Sequence, residues 1–297
     1  MDAHTTVQRF GAAGSTREGR RSIWADGASA LTRHWPEYLM EASELGIFMI
    51  SACVFTPLLE YPASPLRQLI PSVLLRSALI GLAMGLTLIS LVYSPWGKRS
   101  GAHMNPAFTL TFFRLGKLEP WDAFFYVIAQ FVGGVVGVTI SWLLMGMVLA
   151  DPSVSFAVTH PGALGVKVAF FAEVAISFVL ILTVLTVSNS RRWSRYTGLF
   201  AGTLVATYIT FEAPLSGMSM NPARTFGSAF VAKSFDSLWL YFVAPPIGML
   251  VAAELFVRLR SIQAVHCAKY HHNNTKRCIF RCRFAELENP KTLVTAE

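Results

Sequence analysis

Six stretches of this chain, at about 38–59, 72–93, 120–145, 166–188, 197–213 and 237–259, are apolar over close to the ~20 residues that a helix needs to cross a bilayer's hydrocarbon. Backbone N–H and C=O groups find no water in lipid, so each stretch has to satisfy them internally, as a helix. An all-α membrane protein follows, and the composition agrees: 53% of the 297 residues are hydrophobic and only 14% charged, too few charges to coat an ordinary soluble domain. The formal charge of +8 does not point to nucleic acid, because the basic residues fall in short runs between the apolar stretches rather than along one face.

Two shorter apolar pieces, near 105–115 and 221–231, cannot span a membrane, and each begins with Asn-Pro. Asn at an N-cap followed by Pro at the first helical position is a favoured helix start, so both pieces are predicted to be half-helices. They follow the second and fifth spans, which makes the chain two copies of span, span, half-helix, span. Three spans per copy is odd, so the second copy enters from the opposite face and the half-helices meet near the midplane. Lys and Arg segregate accordingly. Arg9, Arg17, Arg20, Arg21 and Arg33, then Lys98, Arg99, Arg114 and Lys117, then Arg191, Arg192, Arg195 and the tail share one side, whereas the other side and its helix ends keep Arg67, Arg76, Lys167 and Lys233. Both termini are therefore expected in the cytoplasm, in a multi-pass protein of the plasma membrane. Residues 1–36 carry no apolar core for a secretory signal and read as a mobile cytoplasmic arm. A membrane domain occupies 37–260, with repeats at about 37–145 and 166–260, and 261–297 form a basic tail.

Ser100-Gly101-Ala102-His103-Met104-Asn105-Pro106-Ala107 and Ser216-Gly217-Met218-Ser219-Met220-Asn221-Pro222-Ala223-Arg224 resemble the two signature loops of the aquaporin (major intrinsic protein) family. Tyr126-Val127-Ile128-Ala129-Gln130 in the third span resembles the family's Ala-Gln motif, and Glu41 and Glu173 match the glutamates that open its first and fourth spans. The resemblance covers about residues 38–260 and implies six transmembrane helices plus two re-entrant half-helices in an inverted repeat. It implies a passive, non-enzymatic channel for water and small neutral solutes in the lipid bilayer, associated as a homotetramer. Physics supports charge exclusion: two helix amino ends aimed at one point bring partial positive charges and unsatisfied N–H groups into a low-dielectric setting.

Carried over residue by residue, Asn105 and Asn221 donate hydrogen bonds to the permeant molecule, and Arg224 presents a fixed cation at the outer constriction. Glu41 and Glu173 are expected to accept backbone N–H bonds from the re-entrant loops. Glu44 departs from the small residue usual at its position. The family's filter positions correspond to Ile209, Met218 and Arg224, with Met84 from the second span, or Gly85 if the following loop holds no insertion. These replace the aromatic residue and histidine of a strict water filter, which favours less polar solutes such as glycerol. Thr225 and the pair Tyr241-Phe242 resemble water channels instead. The alternatives are a glycerol-type facilitator, a mainly structural membrane protein and a coupled transporter, which would need a titratable group at the midplane.

In the tail, His266-Cys267, His271-His272, Cys278 and Cys282 fall close together. Thiolates with imidazoles are the ligand set of zinc or a similar soft metal, for which Cys267, His271, Cys278 and Cys282 are the candidates. A solvated or membrane-apposed tail, palmitoylated on cysteine, is the alternative and needs no cofactor.

Overall fold

In the computed structural model, residues 23–288 are described, and they are helical with no strand among them. Eight principal helices appear in chain order: α1 (Ile23–Glu60), α2 (Val73–Tyr93), α3 (Pro106–Arg114), α4 (Pro120–Met145), α5 (Gly165–Ser188), α6 (Thr197–Phe211), α7 (Pro222–Ala232) and α8 (Leu238–Arg260). Five of them, α1, α2, α4, α5 and α8, are long and apolar enough to cross a membrane. The remaining span, α6, has 15 residues and rises only about 22 Å. It stops short because the chain turns at Glu212 through the short helix Ala213–Ser216 into the second re-entrant loop.

The packing has the symmetry of an inverted repeat. α1 lies along α4 and α5 along α8, and α2 pairs with its counterpart α6. Half-helix α7 packs on α4 and half-helix α3 on α8, so each copy's half-helix is held partly by the other copy. Small residues let these helices approach closely, as is common in membranes. A Cβ added at Gly133 of α4 would overlap the Ala42 carbonyl of α1. On α2, a Cβ at Gly85 would lie 2.6 Å from the Gly202 carbonyl of α6. Long apolar side chains such as Leu143, Leu144 and Phe171 are exposed on the outside, where lipid solvates them.

Two expectations about the ends change. The segment 1–36 is helical from Ile23 onward, as part of α1; residues 1–22 lie outside the described residues. Asp122 of α4 explains the extension, since its Oδ1 accepts from the Tyr38 hydroxyl at 2.6 Å and lies 2.7 Å from His34 Nδ1. At the other end, residues 261–288 fold back under the helices instead of trailing away. The Tyr270 N–H donates to the Gly101 carbonyl, the Arg281 N–H to the Lys117 carbonyl, and the Arg281 guanidinium makes two bonds to Glu119, at 2.7 and 2.9 Å. Residues 289–297 lie outside the described residues.

Candidate functional site

The two Asn-Pro-Ala segments meet at the centre of the fold. Asn105 and Asn221 are extended N-caps: Asn105 Oδ1 accepts from the Ala107 N–H at 2.9 Å, and Asn221 Oδ1 accepts from Ala223 and Arg224 at 3.0 and 3.2 Å. Pro106 and Pro222 occupy the first helical position, where the missing N–H costs nothing. The amide nitrogens cross between loops. Asn105 Nδ2 donates to the Met220 carbonyl at 2.7 Å, and Asn221 Nδ2 donates to the Met104 carbonyl at 2.6 Å. Each carboxamide NH2 has two hydrogens, so one remains for a molecule in the adjoining cavity. The residue before each Asn, Met104 or Met220, adopts a positive φ of 49° or 54°, as do Ala102 and Met218 at 58° and 51°. This strained backbone needs external anchors.

Two buried glutamates supply them. Glu41 of α1 accepts the His103 and Met104 N–H groups at 2.8 and 2.7 Å and the Gln130 amide of α4 at 2.9 Å. Glu173 of α5 accepts Ser219 and Met220 N–H at 2.6 and 2.7 Å and the Ser216 hydroxyl at 2.9 Å. Tyr126 and Tyr241 complete the symmetry by donating to the Ser100 and Ser216 carbonyls at 2.7 and 2.6 Å. The extra Glu44 has its explanation in Ser100: in the first repeat the serine hydroxyl donates to Glu44 at 3.0 Å, whereas its counterpart Ser216 uses Glu173. Nothing in the sequence marks that exchange, because it depends on which helix face meets the loop.

A cavity of about 440 Å³ runs between the helices and past both asparagines. At the end opposite the chain termini it is bounded by residues of the loop 152–158 and by His160; at the terminal end it is bounded by His103, Leu88, Leu180 and Tyr270. Met84, Ile209, Met218 and Arg224 all line it. Gly85 instead faces α6 across the Gly202 contact, so α2 offers Met84 to the lumen. The half-buried Arg224 donates from Nη1 to the Ala157 carbonyl at 2.8 Å. That carbonyl is presented by three successive residues at positive φ, Ser155, Phe156 and Ala157, a costly turn that the charged hydrogen bond helps to hold. Ala157 was not visible as a site residue in the sequence, since loop 151–164 carries no motif.

The substrate hints at Thr225 and Tyr241-Phe242 lose their force, because none of these side chains lines the cavity. Thr225 is buried against Ser219 and Thr159, in the place Thr109 takes beside His103. Tyr241 is committed to Ser216, and Phe242 packs on Phe131 and Phe226. His103 has both ring nitrogens engaged, Nδ1 with the Thr109 hydroxyl at 3.1 Å and Nε2 with the Ala268 carbonyl of the tail at 3.0 Å.

In the tail, Cys267, Cys278 and Cys282 come together with His272, not with His271. His271 points the other way, its ring edge-on to Tyr93 of α2 at 4.9 Å between centroids. The two histidines are neighbours in the chain, yet His272 faces the thiols and His271 faces α2.

Residues 37–256 match the family model described as Major intrinsic protein. Similar proteins include a probable aquaporin NIP-type from Nicotiana alata, 35% identical over 60% of this chain and 64% of its own length. Aquaporin NIP2-1 from rice, Oryza sativa, is 31% identical over 79% of this chain and 75% of its own. Glycerol uptake facilitator protein-like 6 from Lactiplantibacillus plantarum is 32% identical over 59% of this chain and 81% of its own. The match thus spans less than two thirds of the Nicotiana protein, as it does of two Arabidopsis aquaporins, NIP1-2 and NIP7-1, at 62% and 59%. The aquaglyceroporin of Plasmodium falciparum shares the fold, with a TM-score of 0.64 at 18% identity over 78% of this chain and 98% of that one. With the paired Asn-Pro-Ala caps, the inverted packing and a family match over most of its length, the chain belongs to the major intrinsic protein family.

Proposed function

We propose that this protein is a passive channel for water and small neutral solutes that excludes ions and protons. The observation that carries the reading is the single cavity passing between the Asn105 and Asn221 amides and beside Arg224. One free N–H on each amide orients the oxygen of a passing molecule, while the guanidinium and two helix amino ends oppose cations. Both nitrogens of His103 are held by protein partners, which supports transport without a titrating shuttle at that level.

The filter favours small, less polar neutral solutes beside water. Met84, Ile209 and Met218 line the cavity with flexible or branched apolar groups and leave Arg224 as the charged donor. Relatives named as aquaporins and as a glycerol uptake facilitator are compatible with either solute. We place the protein in the plasma membrane with both termini cytoplasmic, an orientation supported by the Lys and Arg segregation. Association in fours, with one pore per subunit, follows from the family resemblance.

Stopped-flow light scattering of proteoliposomes under sucrose and glycerol gradients, with an entrapped pH dye, tests the reading. Acceleration of water or glycerol movement without proton flux supports it. Proton-coupled uptake, or no acceleration with protein inserted, overturns it.

A further inference from the structure

The cytoplasmic strap from Ser261 to Arg283 contains a single three-residue helical turn, Ile262–Ala264, and is otherwise irregular, yet it is packed into the protein. An irregular segment of that length is uncommon in a packed structure unless something fastens it. Within it, Cys267 Sγ, His272 Nε2, Cys278 Sγ and Cys282 Sγ converge. One ligand atom from each lies within 4.8 Å of all the others. Cys267 and Cys278 sulfurs are 3.6 Å apart, and Cys282 Sγ is 3.0 Å from His272 Nε2. Zinc–sulfur bonds of about 2.3 Å set tetrahedral sulfur–sulfur edges of about 3.8 Å, so these atoms are already close to a tetrahedral cage.

The surroundings are those of a ligand shell. The Phe284 N–H points at Cys282 Sγ at 3.4 Å, the kind of second contact that stabilises a coordinated thiolate. The His272 ring is stacked on Phe284 with centroids 4.5 Å apart, and Cys267 is buried while the other three ligands are half-buried, so the cluster is held in place at the edge of the packed tail. Three soft sulfurs and one imidazole select zinc or a metal like it over calcium or magnesium.

The cluster also bears on the pore. Tyr270 lies between Cys267 and His272 in the chain, stacks on Phe108 of α3 at 4.6 Å and lines the cytoplasmic end of the cavity. Phe280, between the other two cysteines, stacks on His103 at 5.2 Å. Ligands on both sides of each aromatic residue would fasten the two segments that close under the first re-entrant loop. We propose that Cys267, His272, Cys278 and Cys282 bind one zinc-class ion, which holds the tail and Tyr270 against the cytoplasmic mouth and so sets the conductance. The effect on conductance rests on the channel reading; the binding of metal does not.

The full-length protein, purified under reducing conditions and equilibrated with zinc, is measured for metal content by mass spectrometry after desalting. One zinc per chain is expected in the wild type and in His271→Ala, and about tenfold less in His272→Ala and in Cys278→Ser/Cys282→Ser. Cobalt in place of zinc should give the intense visible bands of a tetrahedral sulfur-rich site. Zinc-free wild type after loading, or equal metal in the ligand variants and wild type, overturns the site. A wild type shown to conduct is then stripped with a chelator, and a change in water or glycerol rate of about twofold or more, reversed by zinc and absent in Tyr270→Ala, is expected. An unchanged rate in a conducting protein that has lost its zinc overturns the coupling, whereas a wild type without flux speaks against the channel reading alone.

Discussion

Glu173→Gln removes one acceptor oxygen from the buried carboxylate that ties the second re-entrant loop to α5. In the native arrangement Oε1 takes the Ser219 N–H and the Ser216 hydroxyl, and Oε2 takes the Met220 N–H. Glutamine keeps the shape. With its oxygen in the Oε1 place, two bonds survive without charge assistance, each weaker by about 1 kcal/mol, and the Met220 N–H is orphaned against the new amide at about 1–3 kcal/mol. Removing a buried charge returns part of that, so the expected net loss is about 2–4 kcal/mol. The position of Met220 makes the damage functional as well, because its carbonyl accepts from Asn105 across the pore centre. Urea unfolding of the purified protein in detergent, with permeability per inserted chain measured on the same preparation, checks both effects. A variant within about 0.5 kcal/mol of wild type that conducts normally would refute the assignment of Glu173 as the anchor of this loop.

The remaining outcomes follow from single contacts. Asn221→Ala removes a cap serving two N–H groups and the donor to Met104; a loss of about 1–2 kcal/mol and a large fall in water permeability are expected in the same assays. Ile209→His puts a polar imidazole in place of an apolar group on the wall that Arg224 also lines, so glycerol flux should fall more than water flux in stopped-flow measurements. Gly133→Leu drives a side chain into the Ala42 backbone and forces α1 from α4, and should abolish recovery of folded protein by size-exclusion chromatography. Arg224→Val should admit a cation or proton leak, read by the entrapped dye, as the fixed charge beside the Ala157 carbonyl disappears.

Much of this architecture was legible in the chain because its signals are local. Asn-Pro starts, apolar length and the spacing of Lys and Arg each report on a few neighbouring residues, and they gave the half-helices and the repeat. Glu41 and Glu173 were legible for a different reason: a carboxylate at membrane depth needs donors, and the loops have them. What was not legible depends on facing. Met84 against Gly85 is decided by how α2 rotates on α6, and His272 against His271 by how the irregular tail folds back under the helices. Thr225, Tyr241 and Phe242 read as indicators of substrate while they in fact hold the loop or pack between helices, since their distance from the lumen is a property of the assembled bundle.

The crossed bonds between Asn105 and the Met220 carbonyl, and between Asn221 and the Met104 carbonyl, have a consequence for biogenesis. Neither repeat contains the acceptor for its own asparagine, so a ribosome that has released only the first three spans has made a half that cannot close its own centre. Its re-entrant loop has to wait in the lipid or the insertion machinery until α5 to α7 arrive. Two polypeptides split between α4 and α5 and produced together should therefore find each other and regain flux, while either fragment alone should be degraded.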